Sequence, residues 1–133
     1  MRVTVNVDGG ARGNPGPAAA ACVIRDGDGA VLLEDATVLG EATNNVAEYR
    51  ALLLGLERAR DLGADAVDVI GDSELVARQL EGRYRVKHPA LKPLYLDAMA
   101  ALRGFDEWTI RTVPRAENAR ADELVNDALD GVI

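Results

Sequence analysis

The chain has 133 residues, 22 of them acidic and 15 basic, for a formal net charge of −7. This length suits a single domain over residues 1–133 with one sizeable core. The longest apolar runs, 17–24 and 51–56, are far too short to span a bilayer, and no leader pattern opens the chain, so a cytoplasmic protein with no membrane partner is expected. Cys22 is the only cysteine and His88 the only histidine, which excludes an intrachain disulfide and a zinc site built from His and Cys.

Residues 3–7 alternate Val3, Val5 and Val7 with Thr4 and Asn6, the period-two pattern of a strand with one face on a core. The strand is expected to end in a carboxylate, Asp8. Gly9-Gly10 and Gly13-Asn14-Pro15-Gly16 follow, where the backbone can turn and approach a ligand without Cβ obstruction. Residues 18–25 and 30–39 read as two apolar strands joined by the hairpin sequence Asp26-Gly27-Asp28-Gly29, so the first three strands make an antiparallel meander. Thr43-Asn44-Asn45 precede a helix over 46–62, whose Tyr49, Leu52, Leu53, Leu56 and Ala59 form an apolar stripe, and Gly63 ends it.

Residues 66–70 form a short apolar strand that stops at Gly71-Asp72, and a helix covers 73–80. The loop 81–89 carries Arg83, Arg85, Lys87 and His88, the most basic patch of the chain. A helix over 90–102, a strand over 107–113 with Trp108 as a core residue, a loop over 114–118 and a last helix over 119–130 complete the chain. The order β-β-β-α-β-α-α-β-α predicts an α/β fold. It has a mixed five-stranded sheet, strands one to three antiparallel, strands four and five parallel to strand one, with helices on both faces.

Four acids stand where these elements begin or end: Asp8, Glu48, Asp72 and Asp122. Each has a local use, since Asn45 and Glu48 fit a capping box, Asp72 suits a helix cap and Asp122 complements a helix dipole. Strands one and four, however, are parallel neighbours that release Asp8 and Asp72 at the same edge. Glu48 shares a helix face with Ala51 and Leu52, and Asp122 with Val125 and Leu129, so both point toward the protein. Crowded carboxylates need a positive counter-charge, and their hard oxygens suit Mg2+ or Mn2+.

Four stretches carry a family resemblance: Asp8-Gly9-Gly10 with Gly13-Asn14-Pro15-Gly16, Thr43-Asn44-Asn45-Val46-Ala47-Glu48, Gly71-Asp72-Ser73, and Asn118-Ala119-Arg120-Ala121-Asp122-Glu123-Leu124. In that order they resemble the type 1 ribonuclease H family from end to end. The short 81–89 loop is similar to archaeal and some bacterial members that lack a long basic protrusion. The resemblance implies a ribonuclease H-like fold and an endonuclease that hydrolyses the RNA strand of RNA–DNA hybrids, leaving 5′-phosphate and 3′-hydroxyl ends. It assigns Asp8, Glu48, Asp72 and Asp122 as catalytic ligands of two Mg2+ or Mn2+ ions about 4 Å apart, one activating water and the other stabilising the leaving 3′ oxygen.

The same resemblance places Gly9, Gly10 and Arg12 along the minor groove near ribose 2′-hydroxyls, with Asn14, Asn44, Asn45 and Arg115 among the further substrate contacts. Many members carry a histidine in the loop before the last acid. Here that loop is Pro114-Arg115-Ala116-Glu117-Asn118, leaving Arg115 or Glu117 for proton transfer or product release. The implied partner is the hybrid, with duplex RNA and RNA–DNA junctions as further substrates to test, and a monomer is expected. A non-catalytic hybrid or duplex RNA binding module would keep the basic loop and the asparagines but has no use for four converging acids. A phosphate-binding nucleotide enzyme would need Gly-x-Gly-x-x-Gly opening a helix or a Gly-Lys-Ser/Thr loop, and neither is present.

The negative charge opposes a nucleic-acid partner, which is usually met by a basic protein. An acid-rich chain whose only lysines are Lys87 and Lys92 fits either adaptation to high salt or a compositional bias of the coding sequence. Under salt adaptation, folding stability rises with NaCl and cleavage persists at molar salt. The Debye length falls from about 30 Å at 0.01 M to about 3 Å at 1 M, which screens the repulsion among the excess charges, while short-range contacts through Arg12, Arg83, Arg85, Lys87 and Arg115 outlast it. Circular dichroism melts and initial rates across a salt series check this expectation. Stability independent of salt, with cleavage falling steadily from the lowest concentration, leaves compositional bias as the account.

Overall fold

The computed structural model describes residues 1–133. Chain order runs β1 (Arg2–Ala11), β2 (Gly16–Arg25), β3 (Val31–Ala42), α1 (Asn44–Asp61), β4 (Ala66–Gly71), α2 (Glu74–Leu80), α3 (Lys92–Arg103) and β5 (Glu107–Thr112). A short 3-10 turn, Arg115–Asn118, then leads into α4 (Ala119–Leu129). The five strands lie in the order β3-β2-β1-β4-β5, antiparallel from β1 to β3 and parallel from β1 through β4 to β5. This is the expected α/β architecture. No helix is long and apolar enough to cross a membrane.

Alternation divides the sheet between two cores. Val3, Val5 and Val7 turn to the face covered by α1 and pack with Tyr49, Leu52 and Leu56, while Leu80 of α2 and Leu102 of α3 close the same cluster. On the other face Ala19, Ala21 and Val23 meet Leu124, Val125 and Ala128 of α4. Residues 18–24 of β2 are buried without a break, because this strand is covered on both faces and has a partner on either side. Trp108 is half-buried against the larger core rather than sealed within it.

Three local expectations are corrected. β1 does not end at Asp8 but runs on to Ala11, with Gly9 opposite Ala20 and Gly10 opposite Ala19. Helix α1 begins at Asn44, and its cap is Thr43, whose hydroxyl accepts the Val46 N–H at 3.2 Å. Asn45 therefore forms no capping box, and Glu48 stands beyond the first turn. Ser73 rather than Asp72 caps α2, accepting the Val76 N–H at 3.3 Å. Neither Glu48 nor Asp72 is spent on a helix end.

The Gly9-Gly10 pair reads as a turn signal, yet Gly9 serves close approach. A Cβ on Gly9 would stand 2.1 Å from the Ala47 carbonyl oxygen, and one on Gly55 would stand 2.7 Å from Val5 Cγ1, so α1 lies directly on β1. Gly9→Ala must push α1 away and should lower stability by about 1–3 kcal/mol, the usual range for overpacking. In Gly10→Ala the new methyl meets nothing nearer than Val125 Cγ1 at 3.7 Å. A urea-unfolding comparison should show a clear drop in midpoint for the first variant and little change for the second.

Candidate active site

The parallel pairing of β1 and β4 sets the site. Asn6 pairs with Ile70, where the β1–β4 ladder ends; β4 stops at Gly71 while β1 continues, so Asp8 and Asp72 stand level two residues beyond the last pair. The close seating of α1 on Gly9 brings Glu48 over the same end of the sheet, where the Gly9 N–H donates to Glu48 Oε1 at 2.7 Å. Asp8, Glu48 and Asp72 each offer an oxygen within 4.8 Å of the others. Asp122, in the first turn of α4, lines the same cavity of about 600 Å³ but lies outside that tight group of three.

Crowding acid groups away from water disfavours their charged forms. Burial pushes the Asp8 carboxyl up to about 9, with Glu48, Asp72 and Asp122 adding repulsion, and Asp8 is only 4% exposed. Burial also raises Glu48, to about 7, against the opposing pull of the Gly9 N–H. Burial and mutual repulsion thus disfavour the charged form of both acids, Asp8 the more strongly. Every donor in the cluster is a carboxylate oxygen, the ligand type that hard divalent cations take.

The remaining expected site residues are placed unevenly. Gly10, Arg12, Asn44 and Arg115 line the cavity, whereas Asn14 and Asn45 do not. Gly9 lines it too, but it is buried and its N–H is committed to Glu48. Asn44 Oδ1 accepts the Ala11 N–H at 2.9 Å, and Asn14 Oδ1 accepts the Asn44 N–H at 3.1 Å, so both asparagines knit the glycine-rich segment to the start of α1. Arg12 is engaged within the chain, with Nη1 2.6 Å from Asp130 and Nη2 3.3 Å from Asn126 Oδ1. Arg115 reaches across to Asp72 at 3.6 Å with 78% of its side chain exposed.

Three residues of this neighbourhood carry no assigned role in the sequence reading, although Ser73 and Asn118 stand within the stretches that carry the resemblance. Ser73 and Asn126 line the cavity, and Asn118 is buried behind it. Asn126 follows Asp122 by four residues, a helical spacing that signals a shared face. Asn118 carries no such signal, because a residue of its type at a helix start is explained by capping alone.

The raised Asp8 gives a pH dependence with a definite sign. A group held above its unfolded value stabilises the fold fully below that value, near 4, and the contribution is lost as pH rises through about 9. Metal-free protein should therefore lose stability from about pH 5 to pH 9, and Asp8→Asn should flatten the slope and melt several degrees higher at pH 8. A fixed Mn2+ concentration should stabilise the wild type more as pH rises, since the ion competes with protons. Calorimetric melts in chelator and in Mn2+ check both; a lower melting temperature for metal-free Asp8→Asn would give Asp8 a structural role instead.

Comparison with known proteins agrees with this geometry. A family model described as reverse transcriptase-like matches residues 6–128. Ribonuclease HI of Halobacterium salinarum is 49% identical over 129 residues, covering 97% of this chain and 65% of that protein. The chain spans 36% to 65% of the length of the curated relatives that it matches at 49% identity. The crystal structure of RNase H1 from the halophilic archaeon Halobacterium salinarum NRC-1 superposes with a TM-score of 0.96 at 48% identity, covering 98% of this chain and 99% of that one. LC11-RNase H1, solved in complex with RNA/DNA hybrid, gives 0.93 at 43% identity, with 98% of each chain covered. With the family model matching most of its length and solved ribonuclease H1 chains superposing almost completely, this chain belongs to the type 1 ribonuclease H family.

Proposed function

We propose that residues 1–133 form one catalytic domain that hydrolyses the RNA strand of RNA–DNA hybrids, leaving 5′-phosphate and 3′-hydroxyl ends. The observation that carries this reading is the convergence of Asp8, Glu48 and Asp72, from three separate elements, to within 4.8 Å at an open cavity that Asp122 also lines. The family implies a divalent metal cofactor, and an all-carboxylate donor set fits Mg2+ or Mn2+. Two such ions held by Asp8, Glu48, Asp72 and Asp122 would supply Lewis-acid activation of water and stabilisation of the leaving oxygen.

The chain's own residues supply position and charge. Asp8 is fixed within β1 by its pairing with β2, Asp72 directly follows the end of β4, and Glu48 is held by its hydrogen bond to Gly9, so the acids are set in place before any ligand arrives. The hybrid as substrate is supported by the complex in which LC11-RNase H1, 43% identical, was solved. Gly10, Arg12 and Asn44, lining the cavity beside the acids, are the candidates for contact with it. Between the two candidates for the role of the missing loop histidine, Arg115 is favoured, for product release and not for proton transfer, because a guanidinium stays protonated. Arg115 lines the acid cavity beside Asp72, whereas Glu117 lines a separate cleft with Asn6 and Arg25. A module that only binds hybrids would be weakened by repulsion between these acids and the phosphates.

Labelled hybrid, duplex RNA and duplex DNA digested side by side, with and without Mg2+ or Mn2+, test the reading. Hybrid cleavage in metal alone is expected. Loss of a partner that merely orients a ligand costs about 10–100-fold, so removing a ligand in Asp8→Asn or Asp72→Asn should cost more than about 100-fold while hybrid binding survives. Unchanged turnover in either variant would remove the assignment.

A further inference from the structure

Asn118 sits at the start of α4, where its type and position suit it to cap that helix. Its side chain makes no capping bond. The amide turns instead to β1, where Nδ2 donates to the Val7 carbonyl at 2.8 Å and Oδ1 accepts Asn6 Nδ2 at 3.1 Å. Asn6 Oδ1 in turn accepts Arg25 Nη1 at 3.2 Å, so a chain of side-chain hydrogen bonds runs from β2 through β1 to the root of α4. Asn118 is 2% exposed, and no buried side-chain polar atom of the protein lacks a partner. A helix that gives up local capping to satisfy a distant strand marks a local rule broken for a purpose elsewhere.

The two ends of that bond point to the purpose. Val7 immediately precedes Asp8, and Asn118 stands one turn ahead of Asp122. The apolar contact between α4 and the sheet does little to fix their relative height. It sets Leu124, Val125 and Ala128 against Ala19, Ala21 and Val23, and apolar contact is non-directional. The other ties of α4, Arg12 to Asp130 and Asn126 and Arg120 to Glu34, join exposed or half-exposed groups that solvent and salt screen. The directional restraint is the buried amide bond to Val7.

We propose that Asn118, held in turn by Asn6 and Arg25, is a positioning residue that sets the height of α4 on β1 and so the span between Asp122 and Asp8. This rests on the reading of those acids as metal ligands. The test uses Asn118→Ala and Asn6→Ala, each assayed well below its own melting temperature. Two quantities are measured: the Mn2+ midpoint for thermal stabilisation without substrate, and kcat and KM on hybrid at saturating Mn2+.

For Asn118→Ala the Mn2+ midpoint should rise and kcat should fall by about tenfold or more, with KM within about twofold; partners that orient metal ligands typically cost 10–100-fold. Asn6→Ala should shift both the same way by less. A variant that melts earlier yet keeps its Mn2+ midpoint and kcat within about twofold of wild type would show a merely structural role and overturn the proposal. If Asn118→Ala does not fold, Asn6→Ala decides by the same two outcomes. Failure of the wild type to cleave hybrid would overturn the proposed function, while the Mn2+ midpoints would still decide the role of Asn118.

Discussion

Repulsion among carboxylates gathered at one end of a sheet is the constraint around which this molecule is built. Parallel pairing of β1 with β4 sets Asp8 level with Asp72, and the seating of α1 on Gly9 adds Glu48 to the same few ångströms. Such a cluster raises the free energy of the folded state unless protons or cations neutralise it. The protein tolerates it because the supporting elements are over-determined. A continuous buried strand, β2, has a partner on each side, and a 19-residue core lies beneath α1. Stability stored in the cores thus holds together groups that would otherwise separate.

Much of this was legible in the chain because the relevant patterns are local. The alternation of Val3, Val5 and Val7 and the apolar stripe through Leu52 and Leu56 report faces directly, and acids at element ends declare themselves by position. The caps were not legible. Thr43, Asn44 and Asn45 are all capping residues, and only the three-dimensional start of α1 selects Thr43. Gly9-Gly10 misled for a related reason: a glycine needed for close helix packing carries the same letter as one needed for a turn. The positions of Asp122, Arg12 and Asn118 depend on how α4 docks, a long-range event with no short-range signature.

The acidic surface is also partly explained by structure. Arg58 of α1 pairs with Asp35, and Arg120 of α4 pairs with Glu34, so helices on opposite faces clamp the edge strand β3 through its acids. β3 has no fully buried residue, and these pairs add to the partial apolar contact of Leu33, Leu39 and Ala36 with the two cores. Arginine suits that use through its planar, multiply donating head group. Consumption of arginines in such pairs leaves the loop with Arg83, Arg85 and Lys87 as the main free positive patch, beyond α2.

Asp8, Glu48, Asp72 and Asp122 are proposed as the protein groups that hold the cations used in cleavage. The most direct test of this assignment is anomalous scattering from crystals of the protein grown with an uncleavable hybrid and Mn2+. The account predicts Mn2+ peaks in the cavity lined by Asp8, Glu48, Asp72 and Asp122, with the Asp8 carboxylate coordinated. Peaks elsewhere on the surface, with the Asp8 carboxylate left uncoordinated, would contradict it.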